Sequence, residues 1–230
     1  MGSYFITSSG TEIGKTYLTC GLIRELKARG KNAHAIKPII SGWPDMDQED
    51  SDTGQLIQAM GNTLSPSQID KVSPWRFSAP LSPNMAAEQE GRSISMTKLL
   101  EFCRLTSEPV DGHLFIEGVG GIMVPLAPNC TVLDWIEGLN LPLVLVVGTY
   151  LGSLSHTLTS METIRSRGLQ VQALVINESE SDSVSLQATE HTLRQFLPST
   201  PIFTIPRSPI GHGPTSEHLA PFIAHLDRPI

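Results

Sequence analysis

A strand-like run, a turn of small residues and a Gly-Lys-Thr triplet near the start constrain this chain most strongly. Residues 4–7 are typical of a β-strand, and Gly14-Lys15-Thr16 opens an amphipathic segment. A helix N-terminus presents unpaired N–H groups and partial positive charge to an anion. The order strand, turn and helix therefore predicts a phosphate-binding loop.

Two side chains of this loop have predicted roles. Lys15 would reach the outer phosphates of a nucleotide, and the Thr16 hydroxyl would be a Mg²⁺ ligand. The strict pattern G-x-x-x-x-G-K-[ST] has glycine at position 9, where this chain has Ser9. The loop is therefore a variant, and an ordinary strand-to-helix turn is the alternative interpretation.

The rest of the chain alternates between strand and helix patterns. The apolar runs at 143–148 and 172–177 are continuous, which is typical of strands covered on both faces. The alternation predicts one doubly wound, mainly parallel, three-layer α/β domain over residues 1–230. Residues 39–51 are predicted to be loop, and 61–92 irregular except for a short helix. The predicted strands are 33–38, 112–116, 143–148, 172–177 and 202–205, and the predicted helices are 16–29, 52–60, 84–90, 95–105, 153–167, 184–196 and 216–226.

Three charged residues follow or begin these elements. Glu117 ends a strand and precedes glycines, Asp52 begins a helix, and Lys37 ends the second strand. Open α/β sheets bind ligands at the carboxyl ends of their strands. Mg²⁺ prefers oxygen ligands, so Thr16, Asp52 and Glu117 are its predicted ligands. The alternative interpretations are that Glu117 is only a polar strand end, that Asp52 belongs to a solvated acidic loop and that Lys37 is a surface lysine.

Composition excludes several classes of partner. The net charge is −7 without a basic cluster, so we expect neither nucleic acid nor an anionic membrane as partner. No apolar run reaches the ~18 residues of a membrane span. The cysteines Cys20, Cys103 and Cys130 are odd in number and widely spaced, which favours reduced thiols and a cytoplasmic location.

A series of short segments, spread in order over nearly the full chain, forms a recognisable pattern. The segments are Phe5-Ile6-Thr7, Thr11-Glu12-Ile13-Gly14-Lys15-Thr16, Lys37-Pro38, Ser41-Gly42, Ser51-Asp52, Ser82-Pro83, Gln89-Glu90-Gly91-Arg92, Glu117-Gly118-Val119-Gly120-Gly121, Pro125-Leu126, Asp134-Trp135, Leu141-Pro142, Val146-Val147-Gly148, Leu151-Gly152, His156, Asn177 and Ile205-Pro206. Taken together, this series resembles the dethiobiotin synthetase family.

The resemblance implies an α/β P-loop NTPase fold, a homodimer and an ATP-dependent cyclo-ligase of biotin synthesis. Such an enzyme joins 7,8-diaminononanoate, CO₂ and MgATP. A carbamate forms on one amine, the γ-phosphate activates it as a mixed anhydride, and the second amine displaces phosphate. Phosphoryl transfer requires positioning and positive charge more than covalent catalysis, and the two lysines would supply such charge.

The resemblance also assigns residues to roles. It implies that Lys37, Thr11 and Lys15 are catalytic and that Ser41 contacts the diamine or its carbamate. The residues implied to bind the nucleotide are Glu12, Ile13, Gly14, Lys15, Thr16, Tyr17, Asp52, Glu117, Gly118, Val119, Gly120, Asn177, Glu178, Pro206, Arg207 and Ser208. Asn177, with Glu178, would meet the adenine edge through an amide that can both donate and accept hydrogen bonds. Leu151, Gly152 and Ser155 would receive the substrate carboxylate from the facing subunit.

The chain departs from the family pattern at four positions. Ser8 stands where the family usually has glycine, Gly10 where it often has aspartate, Tyr150 where lysine is frequent and Ser155 where asparagine is frequent.

Two other classes of protein share this loop and sheet and are the alternative interpretations. They are an amide-forming ligase of cobyrinate type and a non-metabolic ATPase switch of the partition or septum-positioning type.

Overall fold

Parallel strands form the centre of the molecule. The computed structural model describes residues 2–44, 47–107, 112–180, 184–208 and 213–227. Its six-stranded sheet has the order β10-β9-β8-β1-β5-β2, and every pairing within it is parallel. These strands are β1 (Gly2–Ser8), β2 (Ala33–Ile36), β5 (His113–Glu117), β8 (Leu143–Val147), β9 (Val171–Asn177) and β10 (Ile202–Ile205).

Helices and two small sheets surround this sheet. The strands β3 (Ile39–Ser41) and β4 (Trp75–Phe77) pair in parallel, and β6 (Pro125–Ala127) and β7 (Cys130–Thr131) form an antiparallel pair. The helices are α1 (Lys15–Ala28), α2 (Asp52–Ala59), α3 (Pro66–Val72), α4 (Pro83–Gln89), α5 (Met96–Ser107), α6 (Val132–Leu139), α7 (Ser153–Ser166), α8 (Leu186–Phe196) and α9 (Ser216–Leu226).

Alternate residues of each central strand enter different cores. Phe5 and Leu145 pack into the core that includes α5 and α6, while Ile6 and Val144 pack into the core that includes α1 and α9. Successive side chains of a strand point to opposite faces, so both faces of the sheet are covered. The predicted doubly wound, three-layer α/β P-loop fold is confirmed.

The end of α1 follows from local sequence. Gly30 has φ +73°, and its N–H donates to the Lys27 carbonyl at 2.9 Å, while the N–H of Lys31 donates to the Leu26 carbonyl. Glycine adopts this left-handed conformation without steric cost and is therefore common just after a helix. The predicted helix end at Gly30 is confirmed.

The predictions of loop at 39–51 and of irregular structure at 61–92 were partly wrong. Residues Ile39–Ser41 form β3, Pro66–Val72 form α3 and Trp75–Phe77 form β4. These elements are too short to show a full period of apolar residues. Local signals for α3 were present, because Ser65 accepts from the N–H of Gln68 and Pro66 follows at the first helical position.

The segment 125–139 was not assigned before the structure. It contains β6, β7 and α6, and α6 begins with a capping box in which Thr131 and Asp134 exchange hydrogen bonds. This box has a recognisable sequence spacing. The other predicted elements are present with ends shifted by at most a few residues. Within the described ranges, no helix has the length and apolarity that crossing a membrane requires.

Candidate functional site

The turn between β1 and α1 leads into a helix N-terminus whose backbone N–H groups are not capped by a side chain of the described residues. Gly14 precedes α1 with φ +85°, and in the described part of the chain no side chain caps this helix. A Cβ atom at Gly14 would lie 2.5 Å from Asn177 Nδ2, so a larger residue would displace that side chain. The uncapped N–H groups of α1 therefore remain available to an anion.

Lys15 is buried at this helix start. Its side-chain ammonium donates to Ser8 Oγ and to the Gly120 carbonyl oxygen, both at 3.1 Å. Burial lowers the pKa of Lys15 to about 8. The Lys37 ammonium adds to this lowering, whereas Glu117 and Asp52 partly oppose it. Lys15 can therefore place a poorly solvated positive charge beside the loop.

Lys37 joins two carboxylates beneath the loop. It follows β2, and its Nζ donates to Glu117 Oε1 at 2.7 Å and to Asp52 Oδ2. Thr16 Oγ1 donates to the same Glu117 oxygen at 2.7 Å. The strands β2 and β5 are neighbours, so Lys37 and Glu117 meet at their carboxyl ends.

Two polar residues that the sequence did not suggest hold this cluster. Ser73 Oγ donates to the Lys37 carbonyl at 2.7 Å and lies 2.7 Å from Thr53 Oγ1. Both side chains are buried. Asp52 lies at the start of α2, whose cap is Ser51, since Ser51 Oγ accepts from the N–H of Gly54. Asp52 therefore does not cap α2, and its carboxylate is directed to Lys37.

The electrostatics favour the charged forms of Lys37 and Asp52. Burial lowers the pKa of Lys37, but the charges of Glu117 and Asp52 outweigh burial and raise it above the ordinary value. Burial raises the pKa of Asp52, but the Lys37 charge and hydrogen bonds from Lys37 and Thr16 hold it below the ordinary value. Lys37 thus remains an ammonium between two carboxylates.

The same cluster fits a hard divalent cation. Glu117 is fully buried, and its Oε2 has no hydrogen-bond partner among the residues described. Such an atom is costly to bury unless a ligand satisfies it. Within the described ranges, no three or more His, Cys, Asp or Glu side chains are grouped so that they could hold a metal ion by themselves. Two carboxylates and the Thr16 hydroxyl match Mg²⁺, which keeps several waters.

Lys15, Thr16, Lys37 and Asp52 line one cleft of about 870 Å³, whereas the fully buried Glu117 does not line it. Ser41, at the end of β3, also lines it, and among described residues its buried hydroxyl has no partner. Residues 80–83 form another part of the lining of this cleft. The predicted site residues in this cleft are Thr11, Glu12, Ile13, Gly14, Lys15, Thr16, Tyr17, Lys37, Ser41, Asp52, Val119 and Gly120.

A second cleft of about 980 Å³ lies across the loop. Of the predicted nucleotide residues it contains Asn177, Glu178, Pro206, Arg207 and Ser208, and it shares the loop residues from Thr11 to Gly14 and Tyr17 with the first cleft. Tyr150 and His156 also line it, with the Tyr150 hydroxyl 2.8 Å from His156 Nδ1. Neither had been predicted to line a nucleotide cleft.

The orientation of Asn177 differs from the predicted one. An amide that both donates to and accepts from a base was expected. Its Nδ2 instead donates to the carbonyls of Ile13 and Gly14, at 3.0 and 3.1 Å. Its Oδ1 is buried and has no partner in the ranges described. Only an acceptor therefore remains for a ligand.

The opposite wall of the second cleft is held by one backbone hydrogen bond and one ion pair. The backbone N–H of Arg207 donates to Glu178 Oε2 at 2.9 Å, and its guanidinium donates to Glu180 Oε1 at 2.5 Å. These contacts link the segment after β9 to the segment after β10. Glu178 thus supports the wall through a backbone contact.

Five predicted residues line neither cleft, and they are Glu117, which is buried, Gly118, Leu151, Gly152 and Ser155. Gly118 is packed against Phe5, and its N–H donates to the Ile6 carbonyl at 2.9 Å. Leu151, Gly152 and Ser155 are exposed where α7 begins, and Leu151 is 83% exposed. One chain does not bring these three residues to the Lys37 cluster.

Comparison with curated proteins reveals close relatives. The chain is 43% identical over 202 residues to the ATP-dependent dethiobiotin synthetase BioD of Acidiphilium cryptum, covering 87% of this chain and 91% of that protein. It is 39% identical over 230 residues to the enzyme of the same name from Phenylobacterium zucineum, covering 99% and 97%.

Solved structures and a family model agree on the fold. MinD cell division protein from Aquifex aeolicus matches with a TM-score of 0.62 at 15% identity, covering 100% of this chain and 99% of that one. A ParA family ATPase from Chlorobium tepidum matches with a TM-score of 0.53 at 13% identity, covering 90% and 85%. These identities show a shared fold alone.

A family model described as AAA domain matches residues 2–215. Together with the two relatives, this match shows that the chain belongs to the ATP-dependent dethiobiotin synthetase family.

Proposed function

We propose that this chain is an ATP-dependent cyclo-ligase that converts 7,8-diaminononanoate, CO₂ and ATP into dethiobiotin, ADP and phosphate. One observation carries the proposal. Five polar side chains meet at the carboxyl ends of β1, β2 and β5, in a chain whose relatives bear this synthetase name. They are those of Lys15, Lys37, Thr16, Asp52 and Glu117. Residues 1–230 would form a single ligase domain.

The proposed reaction has three steps. One substrate amine attacks CO₂ and forms a carbamate with loss of a proton. A carbamate oxygen then attacks the γ-phosphorus, and ADP leaves. The second amine attacks the carbonyl carbon of this mixed anhydride and loses a proton, and phosphate leaves as the ureido ring closes.

The lysines would act through charge and position. Lys15 and the N–H groups of α1 would bind the outer phosphates, and Thr11 would contact the transferred group. Lys37 lines the same cleft as Ser41, so its ammonium can stabilise negative charge on the carbamate and the phosphoryl oxygens. Positive charge that is already in position before the reaction begins lowers the activation barrier, because no protein group has to move to supply it.

A Mg²⁺ ion fits the oxygen groups of Thr16, Asp52 and Glu117. The unpartnered Glu117 Oε2 supports this assignment. When bound, the ion supplies positive charge that neutralises the phosphate oxygens. The Lys37 ammonium donates hydrogen bonds to both Asp52 and Glu117, so it would lose part of this contact when the cation binds to the same carboxylates.

We also propose a homodimer, because Leu151, Gly152 and Ser155 lie exposed at a helix start. The N-terminus of α7 has no side-chain cap among described residues, and Gly152 precedes it with φ +98°. Such a terminus attracts a carboxylate. In a dimer it would bind the carboxylate of the diamine held in the partner's cleft. A cytoplasmic location remains a prediction.

An assay of ADP release tests this function. Release should require both 7,8-diaminononanoate and bicarbonate, and mass spectrometry should detect dethiobiotin. Hydrolysis at the same rate without the diamine would contradict the proposal and favour an ATPase switch. Sedimentation of the purified protein tests the dimer separately.

A further inference from the structure

Ser8 lies where three parts of the site meet. It is the last residue of β1, is fully buried, and pairs with Val146 of β8. Its hydroxyl lies within hydrogen-bond distance of the Gly10 carbonyl and of the Gly120 carbonyl, the latter at 3.0 Å. A hydroxyl has one hydrogen to donate, so it can serve one of these carbonyls at a time.

The same hydroxyl accepts from Lys15. The distance from Lys15 Nζ to Ser8 Oγ is 3.1 Å, and the distance to the Gly120 oxygen is also 3.1 Å. Within the described ranges Lys15 forms no ion pair with a carboxylate, in contrast to Lys37. Two neutral oxygens therefore determine where the buried Lys15 ammonium lies.

The backbone around Gly120 leaves little freedom. Gly120 has φ +58°, and a Cβ atom there would lie 2.7 Å from Val124 Cγ2. A Cβ atom at Gly121 would lie 3.2 Å from the Gly10 nitrogen. The loop after β1 and the loop after β5 are thus packed closely, and Ser8 contacts both.

We infer that Ser8 is a positioning residue for the Lys15 ammonium, which it holds against the Gly120 carbonyl beside the phosphate-binding turn. The inference rests on the proposed nucleotide binding by this site. Ser8 acts through Lys15, so its effect should appear on ligands with outer phosphates and should depend on Lys15.

A double-mutant cycle of nucleotide affinity tests this inference. Dissociation constants for ATP and AMP are measured by calorimetry for wild type, Ser8→Ala, Lys15→Met and the double variant. Loss of one hydrogen bond predicts roughly 2- to 10-fold weaker ATP binding in Ser8→Ala. AMP affinity should stay within about twofold, and Ser8→Ala should add no loss in the Lys15→Met background.

Thr7→Val is the matched control. Thr7 is the preceding residue of β1, it is buried, and its hydroxyl has no partner among described residues. This variant should bind ATP as wild type does. If Ser8→Ala does not fold by circular dichroism, Ser8→Cys enters the same cycle, because a thiol keeps the side chain but accepts hydrogen bonds weakly.

The outcomes separate this inference from the proposed function. Wild type that does not bind ATP would contradict the proposed function. Wild type that binds ATP, with equal losses from Ser8→Ala in both Lys15 backgrounds, would overturn the positioning role. Unchanged ATP affinity in Ser8→Ala, or an equal loss for AMP, would also overturn it.

Discussion

Replacing Lys37 by methionine should destabilise the metal-free protein as well as inactivate it. Lys37 is the cation that pairs with Glu117, whose side chain is 0% exposed. Removing one partner of a buried ion pair costs about 3–5 kcal/mol, because the remaining charge is left uncompensated. For a chain of this size, 1 kcal/mol corresponds to about 2–4 °C in melting temperature. The expected loss is therefore roughly 6–20 °C.

Thermal and urea unfolding in EDTA measure this effect. Lys37→Met should melt well below wild type, and the double variant Lys37→Met/Glu117→Gln should recover at least half of the loss, since the buried charge is gone. Lys98→Met is the matched control, because Lys98 is exposed on α5. Its stability should change by less than about 0.5 kcal/mol.

Activity should respond differently from stability. Loss of a preorganised charge near the phosphoryl group should lower the rate of dethiobiotin formation by about 10²–10³-fold in Lys37→Met. The double variant should stay inactive although its stability recovers. If Lys37→Met is as stable as wild type and Glu117→Gln adds nothing to it, the argument from the buried pair is refuted.

Three further predictions concern the metal, the base and pH. Asp52→Asn should raise the Mg²⁺ concentration at half-maximal ADP release about tenfold or more, because one of two carboxylate ligands is lost; an unchanged Mg²⁺ titration would contradict this ligand assignment. Asn177 offers only an acceptor to a base, so ATP and CTP, which carry amino groups there, should bind more than about tenfold tighter than GTP and UTP in competition experiments. Equal affinities would show that the amide is not so oriented. Burial lowers the pKa of His113 below its ordinary value of 6.5, although Asp227 partly opposes this. The unfolded chain then binds more protons, so stability should fall as pH drops below about 6.5; in denaturant titrations between pH 7 and 5, His113→Gln should weaken this dependence, whereas His34→Gln, at an exposed position of β2, should retain it.

Much of the fold could be predicted from local sequence. The continuous apolar runs of β8 and β9 require cover on both faces, and their alternation with helices predicts a parallel sheet. Gly30 ends α1 because glycine adopts a positive φ freely. Short polar elements such as α3 were missed, because seven residues contain too few apolar positions to show a period.

The site was predictable in composition but not in its contacts. The residue types and their places at strand ends indicated that Lys15, Lys37 and Glu117 would lie at one edge of the sheet. Only the tertiary structure decided that Lys37 bonds both carboxylates, that Lys15 bonds Ser8, and that Asn177 donates to the loop. These partners are between 7 and 164 residues apart in sequence. Periodicity in the sequence indicates which face of a strand or helix a residue occupies. Hydrogen-bond partners depend instead on which loops the packed sheet brings close to one another.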